Sequence, residues 1–191
     1  ASDVATAAEA GADLVGLELG SPNSPRNLNT LEAQRLADQA RALGLHPVLV
    51  THSADLATIR EWCRFVRPDY VHLHRPAPPE WVHSLAAIPV HVLFGLGPDD
   101  EVPAEGAGLV IDALADSQSG LPHDGGTSRP LVEAAGGRFT FIEGGLDAAS
   151  AARALHRSGA TGATGCGSLE STLGRLDPAR LAAFVKAVQS A

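Results

Sequence analysis

Short runs of Val, Leu and Ile alternate along the chain with longer segments in which apolar residues return every three or four positions. The runs are residues 12–19 (ADLVGLEL), 46–51 (HPVLVT), 69–74 (DYVHLH), 89–94 (PVHVLF), 108–114 (GLVIDAL), 138–143 (RFTFIE) and, with the thinnest pattern, 159–166 (GATGATGC). Runs of this length, apolar at successive positions, predict strands buried on both faces. Residues 31–44, 54–66, 78–87, 128–136, 147–159 and 177–191 carry the helical period. A further helix is expected over residues 2–12, with Ser2 or Asp3 as its N-cap. The acidic, proline-broken stretch 97–107 (GPDDEVPAEGA) is expected to form one turn at most.

Strands alternating regularly with helices imply right-handed crossovers and a parallel sheet, hence an α/β fold. No G-x-G-x-x-G follows any of the runs, which argues against a dinucleotide-binding sheet and favours a (β/α)8 TIM barrel. Seven strands are expected where such a barrel has eight, and a helix precedes the first of them. The expectation is therefore a barrel whose first strand lies about ten residues upstream of Ala1. An open seven-stranded barrel, or a strand from a partner chain, are the alternatives. Unpaired strand edges would favour a homo-oligomer.

Composition narrows the class. With 191 residues, 45% of them hydrophobic, residues 1–191 are expected to form a single domain with an aliphatic core. The net charge of −8, from 22 acidic and 14 basic residues without a Lys/Arg cluster, gives no footprint for nucleic acid or an anionic membrane. No run is long enough to span a bilayer and the start lacks a signal-peptide pattern, so a cytoplasmic location is expected. Cys63 and Cys166 are far apart and outside any C-x-x-C spacing, which points away from a disulfide framework and a structural zinc site.

In barrels of this class the active site forms at the C-terminal ends of the strands, and the last two loops commonly hold phosphate. Two glycine-bearing loops fall there. EGGLD (143–147) places Gly144 and Gly145 between strand and helix, where backbone N–H groups and a helix dipole suit an anion. GCGSLES (165–171) repeats the arrangement with Gly167 and the hydroxyls of Ser168 and Ser171. Asp112 ends the aliphatic run 108–111 and is placed either to cap the following loop or to act as a general acid or base. The glycine-rich HDGGTS (123–128) then reads as a lid.

These stretches together resemble the phosphoribosylanthranilate isomerase family. SPNSPRNL (21–28) resembles its S-P-R loop, YVHLH (70–74) its Q-L-H-G strand and VIDA (110–113) its L-L-D strand. DGGTS (124–128) is similar to its G-G-T-G lid, IEGGL (142–146) to its A-G-G-L phosphate loop, and GCGSLESTLGRLD (165–177) to its S-S-G-V-E-S ending. The resemblance implies an Amadori rearrangement of a small phosphorylated substrate, without a cofactor. It implies Asp112 as general acid, Arg26 as the clamp on the anthranilate carboxylate, and His74 and Gly126 as further substrate contacts. Phosphate falls to the backbone around Gly144, Gly145, Gly167 and Ser168.

The departures are also specific. The family base is a cysteine in a K-x-C-G first strand, which neither Cys63 nor Cys166 matches. His72 stands where the family has Gln, Arg75 and Ser128 where it has Gly, and His91 and Val92 occupy the region of an expected lysine. Two other readings follow from the residues. Loss of catalysis would leave a binder of a phosphorylated metabolite. Convergence of His52, His72, His74 and His91 on one strand end, with Asp112, would make a zinc hydrolase.

Overall fold

The computed structural model describes residues 2–74, 77–112 and 125–191, which fall into two compact units. The first comprises Ala1–Phe94 with Pro103–Gly106, the second Gly95–Val102 with Ala107–Ala191.

In the first unit the order is α1 (Ser2–Ala10), β1 (Leu14–Leu19), α2 (Thr30–Ala42), β2 (His46–Thr51), α3 (Leu56–Val66), β3 (Tyr70–Leu73), α4 (Trp81–Leu85) and β4 (His91–Leu96), whose last two residues belong to the second unit. The strands are parallel and adjoin in chain order. Two registered rows, Leu17–Leu49–Val71–Val92 and Leu19–Thr51–Leu73–Phe94, are buried along one face. Helix α2 lies on β1 and β2 and offers Ala33, Ala37 and Ala40, a stripe of small residues that lets it approach closely. A capping box starts it: Asn29 Oδ1 accepts from Glu32 N (2.9 Å), and Glu32 Oε2 accepts from Asn29 N (3.1 Å). Residues on the other face alternate with the buried rows, so Glu18, Val50, His72 and Leu93 share a row.

The second unit runs β5 (Gly108–Asp112), a 3-10 turn (Gly126–Ser128), α5 (Arg129–Ala134), β6 (Phe139–Glu143), α6 (Ala151–Ser158), β7 (Gly162–Ala163), a second 3-10 turn (Gly167–Leu169), a hairpin of β8 (Glu170–Thr172) and β9 (Arg175–Leu176), and α7 (Pro178–Gln189). Strands β5 to β7 are parallel in chain order, and the registered pairs Leu109–Thr140 and Ile111–Ile142 are buried along one face. Helix α7 opens with Pro178 in its first turn and Asp177 as N-cap, whose Oδ1 accepts from Ala179 N and Arg180 N.

The parallel α/β architecture agrees with the expectation, and each predicted strand is found. Three local corrections apply. Helix α1 already includes Ser2, so Ser2 and Asp3 both sit inside its first turn and neither is the cap. The weak run 159–166 yields only Gly162–Ala163, since glycine and alanine give little to pack. The β8–β9 hairpin, turning at Leu173–Gly174, falls in a stretch read only as a loop.

Candidate functional site

The candidate residues lie at the C-terminal ends of the strands, and each unit holds its own set. In the first unit the loop after β1 carries Arg26. Leu28 N donates to Glu18 O (2.8 Å), Ser24 Oγ donates to Glu18 Oε2 (2.9 Å), and Arg26 N donates to Ser24 Oγ (3.2 Å). The half-buried Glu18 carboxylate thus anchors the backbone that presents Arg26. Gly20, at φ +81°, lets the same loop leave the strand over Trp62: a Cβ there would stand 2.7 Å from the indole ring. Glu18 and Ser24 had no place among the sequence candidates. The signal for Glu18 was a charged residue at a period-two position within an otherwise aliphatic run.

Three histidines gather at the ends of β2 and β3. His52 follows β2 and is exposed, and its ring stacks on that of half-buried His74 at 4.0 Å and 28°. His72, two residues earlier on β3 and on the same face as His74, lies 5.4 Å from the His74 ring and is 5% exposed. Burial, reinforced by the neighbouring His74 and His52, pushes the His72 imidazole down to about 3, so it is neutral at physiological pH. His91 does not join them. It begins β4 in register with Tyr70, against whose ring it packs at 5.4 Å, at the opposite end of the strands. The four-histidine convergence required for a zinc centre is therefore not formed, and the described residues contain no group of three metal-ligating side chains.

In the second unit Asp112 ends β5, half-buried, in register with Glu143 at the end of β6. Residues paired across parallel strands share a face, so two carboxylates stand side by side; the second was missed because EGGLD was read for its glycines. Gly144 (φ +118°) and Gly145 (φ +59°) follow at once. Among the described residues their N–H groups donate to no other group. The start of α6 contributes less than expected. Asp147 Oδ1 accepts from Ala149 N (3.0 Å), Ser150 N (2.9 Å) and Ser150 Oγ (2.7 Å), so an internal carboxylate takes up donors that a phosphate would otherwise meet. Hydrogen bonds from the Ser150 side chain and backbone hold the Asp147 carboxyl below its ordinary value. Ser168 joins the two glycine loops: its hydroxyl donates to Leu146 O, and Gly167 begins the same 3-10 turn.

Gly126 lies in the turn that precedes α5. Its neighbour Gly125 (φ +85°) is buried against α6, where a Cβ would fall 2.1 Å from the Ala154 carbonyl oxygen, and Ser128 is fully buried. Gly125 thus serves close packing against α6. His123 and Asp124 of the expected lid, and Arg75, lie outside the described residues. Cys63 is buried, which pushes its thiol up to about 12, and Cys166 is exposed; neither forms a disulfide.

A family model described as N-(5'phosphoribosyl)anthranilate (PRA) isomerase matches residues 1–187. An N-(5'-phosphoribosyl)anthranilate isomerase of Cereibacter sphaeroides is 33% identical over 197 aligned positions, which cover 97% of this chain and 92% of that protein. Among solved structures, TrpF from Jonesia denitrificans superposes with a TM-score of 0.82 at 24% identity, covering 99% of this chain and 92% of that one. A phosphoribosyl anthranilate isomerase in complex with reduced 1-(o-carboxyphenylamino)-1-deoxyribulose 5-phosphate gives 0.80 at 18%, covering 100% and 94%. The two superpositions show a shared fold, the TIM-barrel class expected from the strand–helix alternation.

Proposed function

This chain belongs to the N-(5'-phosphoribosyl)anthranilate isomerase family, and we propose that it catalyses the Amadori rearrangement of N-(5-phosphoribosyl)anthranilate to the 1-deoxyribulose phosphate product in tryptophan biosynthesis. The match over residues 1–187 carries this reading. Residues 1–191 act as one barrel domain on a small phosphorylated substrate, in the cytoplasm. No helix among the described residues is long and apolar enough to cross a membrane.

Asp112 gives its proton to the furanose ring oxygen as the bond to the anomeric carbon breaks, and the anthranilate nitrogen supplies the electron pair that forms the imine. A base takes the proton at C2 to give the enolamine, which becomes the ketone as C1 gains a proton and the 2-hydroxyl loses one; the sequence is redox-neutral overall. Arg26 holds the anthranilate carboxylate, for which a guanidinium fork is suited, and the Glu18–Ser24 relay supports its backbone. The undirected N–H groups of Gly144 and Gly145 receive the phosphate, with Gly167 and Ser168 closing the cradle and His74 and Gly126 as flanking contacts.

The test is turnover of phosphoribosylanthranilate, followed through the loss of its fluorescence. The wild-type chain is expected to consume it, and Asp112→Asn to lose about 10²–10⁴-fold in kcat. A chain that binds the substrate but turns over equally slowly with Asp or Asn at 112 is a binder and not an isomerase.

A further inference from the structure

Three buried side-chain atoms have no hydrogen-bond partner among the described residues: Ser21 Oγ, Arg60 Nε and His72 Nε2. Ser21 and Arg60 belong to half-buried residues, and Arg60 has other guanidinium donors that can reach water. His72 has no such outlet, being 5% exposed on the face of β3 opposite the filled core rows. A buried imidazole nitrogen left unpaired costs roughly 1–3 kcal/mol, a cost that an apolar side chain of similar size would avoid. The His72 ring lies beneath His74, which in turn stacks on exposed His52. The three imidazoles thus run from an exposed ring at the strand ends to a buried ring two residues back along β3.

We propose that Nε2 of His72 is a substrate contact, exchanging a hydrogen bond with a pentose hydroxyl of the phosphoribosyl substrate; the assignment rests on the isomerase reading above. The chemistry of the site selects a hydroxyl. A phosphate or carboxylate drawn to a neutral imidazole at this depth would lose its hydration without meeting a cation, and Glu18 on the same row disfavours a second anion. A hydroxyl is neutral and both donates and accepts, so it satisfies either tautomer of the ring.

The experiment measures two quantities on wild type, His72→Leu and His72→Gln: the melting temperature of the free protein, and the Kd of reduced 1-(o-carboxyphenylamino)-1-deoxyribulose 5-phosphate by calorimetry. His72→Leu is expected to melt higher than wild type, because the unpaired nitrogen is gone, yet to bind the analogue about 5- to 100-fold more weakly. His72→Gln, which keeps a hydrogen-bonding group, is expected to recover part of that affinity. A leucine chain that binds as tightly as wild type overturns the assignment, whatever its stability. A leucine chain that melts lower, with a glutamine chain no tighter in binding, overturns it too, by making the role structural. If the leucine chain does not fold, His72→Asn, polar but too short to reach, takes over the affinity comparison with the same two outcomes. A wild-type chain that neither binds the analogue nor turns over phosphoribosylanthranilate overturns the isomerase reading and this assignment together. Wild-type binding with unchanged variants overturns this assignment alone.

Discussion

A histidine that folds neutral but unfolds into water makes stability depend on pH. The His72 imidazole titrates at about 3 in the folded chain, against 6.5 for the exposed group. Between those values the unfolded state binds the extra proton, so stability rises with pH and is lost as pH falls below 6.5 toward 3. The slope from this one group reaches about 1.4 kcal/mol per pH unit inside the window. Denaturant unfolding at several pH values between 4 and 7 is expected to show a shallower acid loss in His72→Leu than in wild type, with the gap between the two curves constant near neutral pH and widening only below pH 6.5. Equal slopes would mean that His72 becomes solvated and charged without unfolding. Asp55 and Asp147 act in the same direction at lower pH. Both are held below the ordinary carboxyl value by hydrogen bonds, first from Thr58 and from Ser150 respectively, so their contribution persists to more acid conditions and does not mask the histidine window.

At the scale of elements, the tightest constraint is where the 3-10 turn before α5 meets α6. A methyl at Gly125 would meet the Ala154 carbonyl oxygen at 2.1 Å, and the residue also sits at φ +85°. Gly44 has nearly the same φ, +81°, with open space around its missing Cβ. Gly125→Ala should therefore cost the left-handed penalty of about 1–2 kcal/mol plus a packing shift of about 1–3 kcal/mol, and Gly44→Ala only the first. Thermal unfolding is expected to show a drop of about 5–15 °C for Gly125→Ala and under about half of that for Gly44→Ala. Similar drops would place the cost in the backbone angle alone. Where the sequence was legible, packing and propensity agreed: HPVLVT and RFTFIE mark strands to within a residue because β-branched and aromatic residues sit between turn formers. Residues 89–94 slipped by two, since Pro89 cannot donate to a ladder while Gly95 and Leu96 continue it. The helix expected at 147 starts at Ala151, because Asp147 closes a turn on Ser150 first. Positions of Asp112, Gly144 and Gly145 could be read from their place after aliphatic runs. The Glu18–Ser24 anchor and the His52–His74 stack could not, because both depend on which side chains meet across loops and strands.

The whole molecule sets the field in which these groups work. Its net charge of −8 repels a substrate that carries both a carboxylate and a phosphate, and the proposed binding groups, backbone N–H donors and a single guanidinium, act only at contact distance. Diffusional approach therefore runs against the long-range potential, while the final hydrogen bonds form where salt screens little. Raising ionic strength from about 0.01 M to about 0.15 M shortens the Debye length from roughly 30 Å to roughly 8 Å, which removes the repulsion over most of the approach and leaves the contacts in place. The expected outcome is a rise of about 2- to 3-fold in kcat/KM for phosphoribosylanthranilate over that range, with kcat nearly constant, measured in a salt whose anion is not phosphate or sulfate. A fall over the same range would show that local positive charge already outweighs the net charge at a distance. In that case the cation responsible must lie beyond Arg26, and substitution of nearby arginines one at a time would identify it by the loss of salt dependence.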